Sequence, residues 1–215
     1  MEQILALYAL PYDPQYPVIC FDERPCFLIG ETLMPVPMRP GKLRKQHYAY
    51  EKLGSCALLA ASEPLSGRRL GQVHPQRTKR EYTLFCQALA ALYPAAIKLR
   101  LVQDNLNTHN ASAFYEHLPA DQAFALAERF ECYYTPKSAS WLNMIACEFS
   151  ALSRLCWARR IATIEVLRSE TLTLLEERSR KQIKITWQFS VHAARTKLNR
   201  HYTRVHPDNE KYRET

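Results

Sequence analysis

Asp22 and Asp104 are the residues of this chain best placed to do chemistry. Each follows an apolar run of the kind that forms a buried strand: Val18-Ile19-Cys20-Phe21 ahead of Asp22, and residues 97–103 (Ile-Lys-Leu-Arg-Leu-Val-Gln) ahead of Asp104. In open α/β sheets, sites form where strands end. Two carboxylates at adjacent strand ends offer the hard oxygen ligands that Mg²⁺ takes. A pair of such ions, about 3.5–4 Å apart, activates the attacking oxygen and stabilises the leaving one in phosphodiester chemistry. An Asp at a strand end more often simply opens a turn, so on spacing alone both readings stay open.

The elements that must position these residues are legible in outline. Pro11, Pro14 and Pro17 make the entry segment, residues 1–16, extended. Residues 34–47 hold three prolines and a basic group and read as a long surface loop. Residues 54–62 and 68–74 fit two strands joined by the turn Glu63-Pro64-Leu65-Ser66-Gly67. A helix is expected over 78–92, with Thr78 as N-cap and Pro94 beyond its end. Short helices over 110–128, a strand at 130–134, a helix over 141–157, an amphipathic helix over 163–179 and a basic helical stretch over 191–203 complete the order. The last ten residues read as a frayed end. A hairpin-type start followed by strand–helix alternation implies an α/β chain with a mixed sheet and helices on its faces.

Bulk properties set the class. With 215 residues, 47% hydrophobic and 23% charged, the chain can bury a real core. Its net charge of +8 favours a polyanion partner, because phosphate contacts by Lys and Arg release condensed counterions. The cations are nevertheless spread out, at Arg39, Lys42, Arg44 and Lys45, at Arg77, Lys79 and Arg80, and at Arg154, Arg159 and Arg160. Each group is equally readable as a solvated face. Seven cysteines without a Cys-x-x-Cys pair exclude zinc spacing and suit a reducing cytosol. No run approaches a membrane span, and the N-terminus lacks a basic leader.

The words around the two acids resemble those of the DDE transposases, in the bacterial insertion-sequence branch related to the mariner superfamily. They are Val18-Ile19-Cys20-Phe21-Asp22-Glu23-Arg24-Pro25, Met38-Arg39-Pro40-Gly41, Asp104-Asn105-Leu106-Asn107-Thr108-His109 and Tyr134-Thr135-Pro136-Lys137. They continue in Ser140-Trp141-Leu142-Asn143-Met144 and Glu148-Phe149-Ser150-Ala151-Leu152-Ser153-Arg154. Several separate words in order, from about Leu7 to about Tyr202, are far more specific than any one motif. The resemblance implies an RNase H-like fold with a five-stranded mixed sheet. The catalytic core would span residues 17–160, and 161–215 would form a C-terminal helical extension of the same domain. It implies metal-dependent cleavage and joining of transposon ends, with Asp22 and Asp104 as the first two acids of a triad. The cofactor would be Mg²⁺ or Mn²⁺, as two ions if the site is complete. Asn105, Asn107, His109, Asn143 and Lys137 would orient the ligands or contact DNA.

The family's third acid lies three residues beyond an Asn, in the pattern Asn-x-x-Glu. Here that Asn is Asn143 and the acid's position holds Ala146. Glu148 comes two residues late and is the candidate catalytic acid to stand in for it, which would need a register shift or a local bulge. At about 100° per residue, Leu142, Ile145, Phe149, Leu152 and Cys156 form one apolar stripe. Glu148 lies about 160° around the axis from Ala146, so it is expected to point away from Asp22 and Asp104. Glu23 is a weaker substitute, because alternation sends it to the opposite face from Asp22.

These features predict a transposase catalytic domain impaired at its third ligand. The alternative is an inactive or repurposed transposase-derived DNA-binding module, and an unrelated RNase H-like nuclease is a third reading. Expected partners are double-stranded DNA at transposon ends and target, and a second copy of the chain. A separate helix-turn-helix subunit is also expected, because Val18 leaves no room ahead of it for such a module. The expected location is the bacterial cytoplasm, on the nucleoid when DNA is bound.

Overall fold

The computed structural model of the chain describes residues 1–43 and 45–212; Arg44 of the first basic group, and residues 213–215 of the expected frayed end, lie outside them. Five strands, β1 (Val18–Glu31), β2 (Tyr50–Ser62), β3 (Arg69–His74), β4 (Leu99–Gln103) and β5 (Phe130–Tyr134), form one sheet in the order β3-β2-β1-β4-β5. The first three strands are antiparallel, while β4 runs parallel to β1 and β5 parallel to β4. This is the mixed five-stranded sheet that the RNase H-like reading requires.

Helices cover both faces, and strand alternation decides which side chains they meet. Ile19, Phe21, Leu59 and Leu101 point to one face. There they pack against Tyr82, Phe85 and Leu89 of α2 (Lys79–Leu92), Phe114 of α3 (Ser112–His117) and Leu126 of α4 (Ala120–Glu128). Cys20, Leu58, Ala60 and Val102 point to the other. That face is covered by Ile4 and Leu7 of α1 (Glu2–Tyr8), by Ile145, Phe149 and Leu152 of α5 (Ile145–Leu155), and by Leu167 and Leu175 of α6 (Ile164–Arg180). Helix α2 starts as expected, with a reciprocal capping box between Thr78 and Glu81. Helix α6 lies directly on β3 because Gly71 has no side chain: a Cβ there would fall 2.4 Å from Leu175 Cδ1.

Four expectations are corrected. Residues 1–16 are not extended throughout: residues 2–8 form α1, whose apolar side Ile4, Leu5 and Leu7 is buried, and only the proline-bearing part is irregular. Strand β1 does not stop at Asp22 but runs to Glu31. Pairing with β4 covers only residues 18–20, so beyond them β1 has an open edge, where Pro25 is tolerated. The helix expected over 141–157 is broken into a 3₁₀ turn at Ser140–Leu142 and α5, with Asn143 extended between them. The last ten residues are not frayed as far as they are described. Residues 207–212 form a 3₁₀ segment, and Asn209 bonds the Tyr202 carbonyl at 2.9 Å.

Beyond α6, residues 182–189 run as a strap whose odd-numbered side chains turn inward. Ile183 and Ile185 lie near the β2–β3 turn, where Ile185 N–H donates to the Pro64 carbonyl. Trp187 then stacks on Trp141 and packs against Tyr8. Helices α7 (Val191–Lys197) and α8 (Asn199–Val205) follow and return to α1: Glu2 accepts from Arg195 at 2.7 and 2.9 Å and from the Tyr202 hydroxyl at 2.6 Å. Among the described residues, no helix is long and apolar enough to cross a membrane.

Candidate active site

The sheet brings Asp22 and Asp104 to one end of the same ladder. The parallel β1–β4 ladder ends at the pair Cys20 and Val102, so Asp22, within β1, and Asp104, the residue after β4, each lie two residues beyond that pair. Asp22 continues the face that carries Cys20, whereas the Asp104 carboxylate is bonded to His109, which packs against Phe21 and Tyr82. Asp22 Oδ1 accepts from the backbone N–H of Glu23 at 2.7 Å. Burial, with the nearby charge of Asp104 adding to it, pushes the Asp22 carboxyl up to about 6. A backbone N–H bond works the other way and is outweighed.

His109 turns this pair into a chain of groups. Its ring is fully buried between Phe21 and Tyr82. Nδ1 meets Asp104 Oδ1 at 2.5 Å, and Nε2 faces Glu23 Oε1 at 3.2 Å. Burial opposes the imidazolium, but the bond to Asp104 and the nearby Glu23 carboxylate outweigh it and raise the ring to about 9. A protonated ring then donates to Asp104 and places its other nitrogen beside Glu23. The backbone holds His109 as firmly as the ring does: its carbonyl accepts from Gln103 Nε2 at 3.1 Å, and Gln103 Oε1 in turn accepts from the Tyr82 hydroxyl at 3.0 Å. Alternation does send Glu23 away from Asp22, and there it meets His109 rather than the pair.

The remaining candidates separate. Asn143 is buried, and its amide donates to the Phe21 carbonyl at 2.7 Å, which pins the start of α5 to the strand beside Asp22. Asn105 and Asn107 are exposed and line an open cleft of about 300 Å³ with Glu23, Arg77 and Thr108. Arg77 reaches Glu23 Oε2 at 3.7 Å from the mouth of that cleft. Lys137 is exposed in the turn after β5, and its side chain has no hydrogen-bond or ion-pair partner among the described residues.

Ala146 is exposed in the first turn of α5, while Glu148 is fully buried in the same helix. The Glu148 carboxylate accepts from Arg69 of β3 at 2.6 Å and from Arg178 of α6 at 2.8 and 3.2 Å. Burial alone would push this carboxyl up; the two guanidiniums outweigh it and hold it below the ordinary value. Glu148 therefore serves as the counter-ion that ties α5 to β3 and α6, not as a companion to Asp22 and Asp104. Among the described residues, no group of three or more His, Cys, Asp or Glu is arranged to hold a metal ion.

Spacing does not reveal Gln103, Tyr82 or Arg77. The first two sit in apolar stretches whose polar atoms announce nothing, and Arg77 stands in a basic group readable as a solvated face. The link between Glu23 and His109 has a faint signal in the alternation along β1.

Solved structures of similar shape include the Mos1 strand transfer complex, at 16% identity over 85% of this chain and 58% of that chain, with a TM-score of 0.42. The mariner Mos1 paired-end complex with Mg matches at 18% identity, covering 85% and 58%, with a TM-score of 0.36. The paired-end complex with Mn matches at 16%, covering 85% and 59%, also at 0.36. The chain thus spans under three fifths of the length of these structures. Curated proteins give no match. The family model described as DDE superfamily endonuclease matches residues 17–168, more than half of the chain and including both Asp22 and Asp104. On that match, over the sheet and acidic pair described above, the chain belongs to the DDE superfamily endonuclease family.

Proposed function

We propose that the chain is the catalytic core of a DNA transposase whose acidic site is one carboxylate short. One observation carries the reading: Asp22 and Asp104 each lie two residues beyond the last pair of the parallel β1–β4 ladder, while exposed Ala146 fills the third position and Glu148 is committed to Arg69 and Arg178.

The donor set fits a divalent hard cation. Two carboxylates with water and substrate phosphate are what Mg²⁺ ordinarily takes, and Mn²⁺ accepts the same oxygens. The raised Asp22 carboxyl marks two acids that repel each other in a partly dry setting, a cost that a cation offsets. When bound, such an ion supplies activation of the attacking oxygen and stabilisation of the leaving one. The protein's own residues do the rest. Asp22 and Asp104 would hold the metal, and His109 holds one oxygen of Asp104. Asn143 sets the height of α5 against Asp22. Arg77, Asn105 and Asn107, around the neighbouring cleft, present donors suited to phosphate oxygens. Double-stranded DNA is the substrate in this reading. A helix-turn-helix partner supplies end recognition, two copies bring two ends together, and the setting is the bacterial nucleoid.

A second reading, a DNA-binding module without chemistry, is favoured by the same Ala146 and by the capture of Glu148. Plasmid nicking in Mg²⁺ and in Mn²⁺ separates the two. The parent chain is expected to nick slowly, and Ala146→Glu to nick roughly a hundredfold faster, since completed ligand geometry restores positioning worth about that factor. Adding Asp22→Ala should abolish the gain. A parent that nicks DNA rapidly, with no change in Ala146→Glu, would overturn the missing-ligand reading. A parent and an Ala146→Glu variant that bind DNA but never nick it support the binding module.

A further inference from the structure

The family match ends at residue 168, yet the chain continues into α6, the strap, α7 and α8, which are packed onto the rest of the molecule. The inner side of α7 and α8 is fully used. Ala194 is buried against Leu5 and Leu142, Arg195 and Tyr202 close on Glu2, and Asn199 donates to the Asn209 carbonyl at 3.0 Å.

The outer side is different. Lys197, Arg200 and Arg204 are exposed, and none has a hydrogen-bond or ion-pair partner among the described residues. Their spacing is i, i+3, i+7. Helices α7 and α8 are separated by Leu198, and across that break Arg195 and Tyr202, seven positions apart, both close on Glu2, so the three cations share the opposite side of the helix pair. The seven steps from 197 to 204 rise about 1.5 Å each, so the row is roughly 10 Å long. Each strand of duplex DNA carries a charge about every 3.4 Å of helix axis, so a row of this length faces two or three phosphates.

The helices are firmly anchored on the fold. Ala194 shares a buried cluster with Leu5 of α1 and with Leu142, in the 3₁₀ turn that leads through Asn143 into α5.

We infer that Lys197, Arg200 and Arg204 form a contact surface for the phosphate backbone of double-stranded DNA. The inference rests on the DNA part of the functional reading and needs none of its metal chemistry. Unpaired cations on helices packed against the fold neutralise phosphates without losing an existing ion pair or first ordering a flexible tail. They position the duplex and read no sequence.

The test is fluorescence anisotropy of a labelled duplex of arbitrary sequence, with chelator present, at salt between about 50 and 200 mM. It uses the full chain and the triple variant Lys197→Gln, Arg200→Gln and Arg204→Gln. These side chains are exposed and make no hydrogen bond or ion pair among the described residues, so the thermal midpoint should be unchanged. Binding should weaken at least about tenfold, and the slope of log K against log salt should become shallower by about 2 to 3, near 0.9 for each phosphate that is no longer neutralised. A control with the same charge change elsewhere, Lys42→Gln, Lys45→Gln and Lys52→Gln, should bind more tightly than the test variant. Equal weakening in both would mean that net charge alone governs binding, and would overturn the assignment. So would a test variant that binds with unchanged affinity and slope. If the parent chain binds no duplex at all, the functional reading fails with it.

Discussion

Replacing Glu148 by Gln should destabilise the fold and leave the metal chemistry of the chain where it was. The substitution keeps shape and removes charge. Arg69 is 1% exposed and loses its counter-ion, whereas Arg178, at 16%, can turn toward water. Breaking a buried pair by removing one partner costs about 3–5 kcal/mol. Arg69 keeps bonds to the Ile183 carbonyl at 2.7 Å and to the Gly67 carbonyl, which places the expectation at the lower end, about 3 kcal/mol. For a domain of this size that is a fall in thermal midpoint of roughly 6–12 °C, measurable by circular dichroism or scanning calorimetry in chelator. Replacing both partners, Arg69→Met with Glu148→Leu, should recover much of the loss, because no uncompensated charge then stays buried. Mg²⁺ affinity measured by titration calorimetry should match the parent in Glu148→Gln. A variant with an unchanged midpoint but lost metal binding would refute the reasoning, because Glu148 would then be a ligand and its arginines incidental.

The acidic pair carries an opposite expectation for stability. Asp22 is raised to about 6 from an ordinary 3.8, so its ionised form is disfavoured by folding. Asp22→Asn should raise the thermal midpoint of the metal-free chain by a few degrees at neutral pH, and an unchanged or lower midpoint would contradict the site's electrostatics. Acid should act through other groups. Glu2 is held at about 2 by its bond from Arg195 and then by that from Tyr202, and Glu148 is held below the ordinary 4.5. Stability from such depressed carboxyls is fully present above the unfolded value and is lost as pH falls through the folded one. Urea midpoints should therefore decline below about pH 4.5, and Glu2→Gln should flatten part of that decline.

Much of this site is legible in residues 18–22 and 97–104, because strand alternation and a change from apolar to acidic are local properties. The position of Glu148 is legible for the same reason: helical phase is a matter of counting. What holds Glu148 is not. Arg69 and Arg178 lie 79 and 30 residues away, and no local pattern distinguishes an arginine that will be buried against an acid from one left in water. His109 is visible as part of a motif, but its second partner Glu23 comes from a strand 86 residues earlier in the chain. Strand β1 reads as shorter than it is because Pro25 and the charges after Asp22 resemble a strand's end. They are instead what an edge strand tolerates once β4 has left it. Helix α1 is hidden because Pro11, Pro14 and Pro17 dominate the entry segment, although the first eight residues contain no proline.

The clasp between Glu2 and the pair Arg195 and Tyr202 joins residues nearly 200 positions apart, and this has a consequence for how the chain is made. During synthesis α1 leaves the ribosome well before Arg195. At about 5–20 residues per second, α1 waits on the order of ten seconds or more for its partner. Over that interval the side of Leu5 that Leu142 and Ala194 will cover stays open to water, a non-local closure of the kind that folds late and exposes apolar surface meanwhile. Shortening the chain before residue 195 should thus yield a nascent form that is recovered by chaperones or lost to aggregation, even with the sheet and its two acids intact.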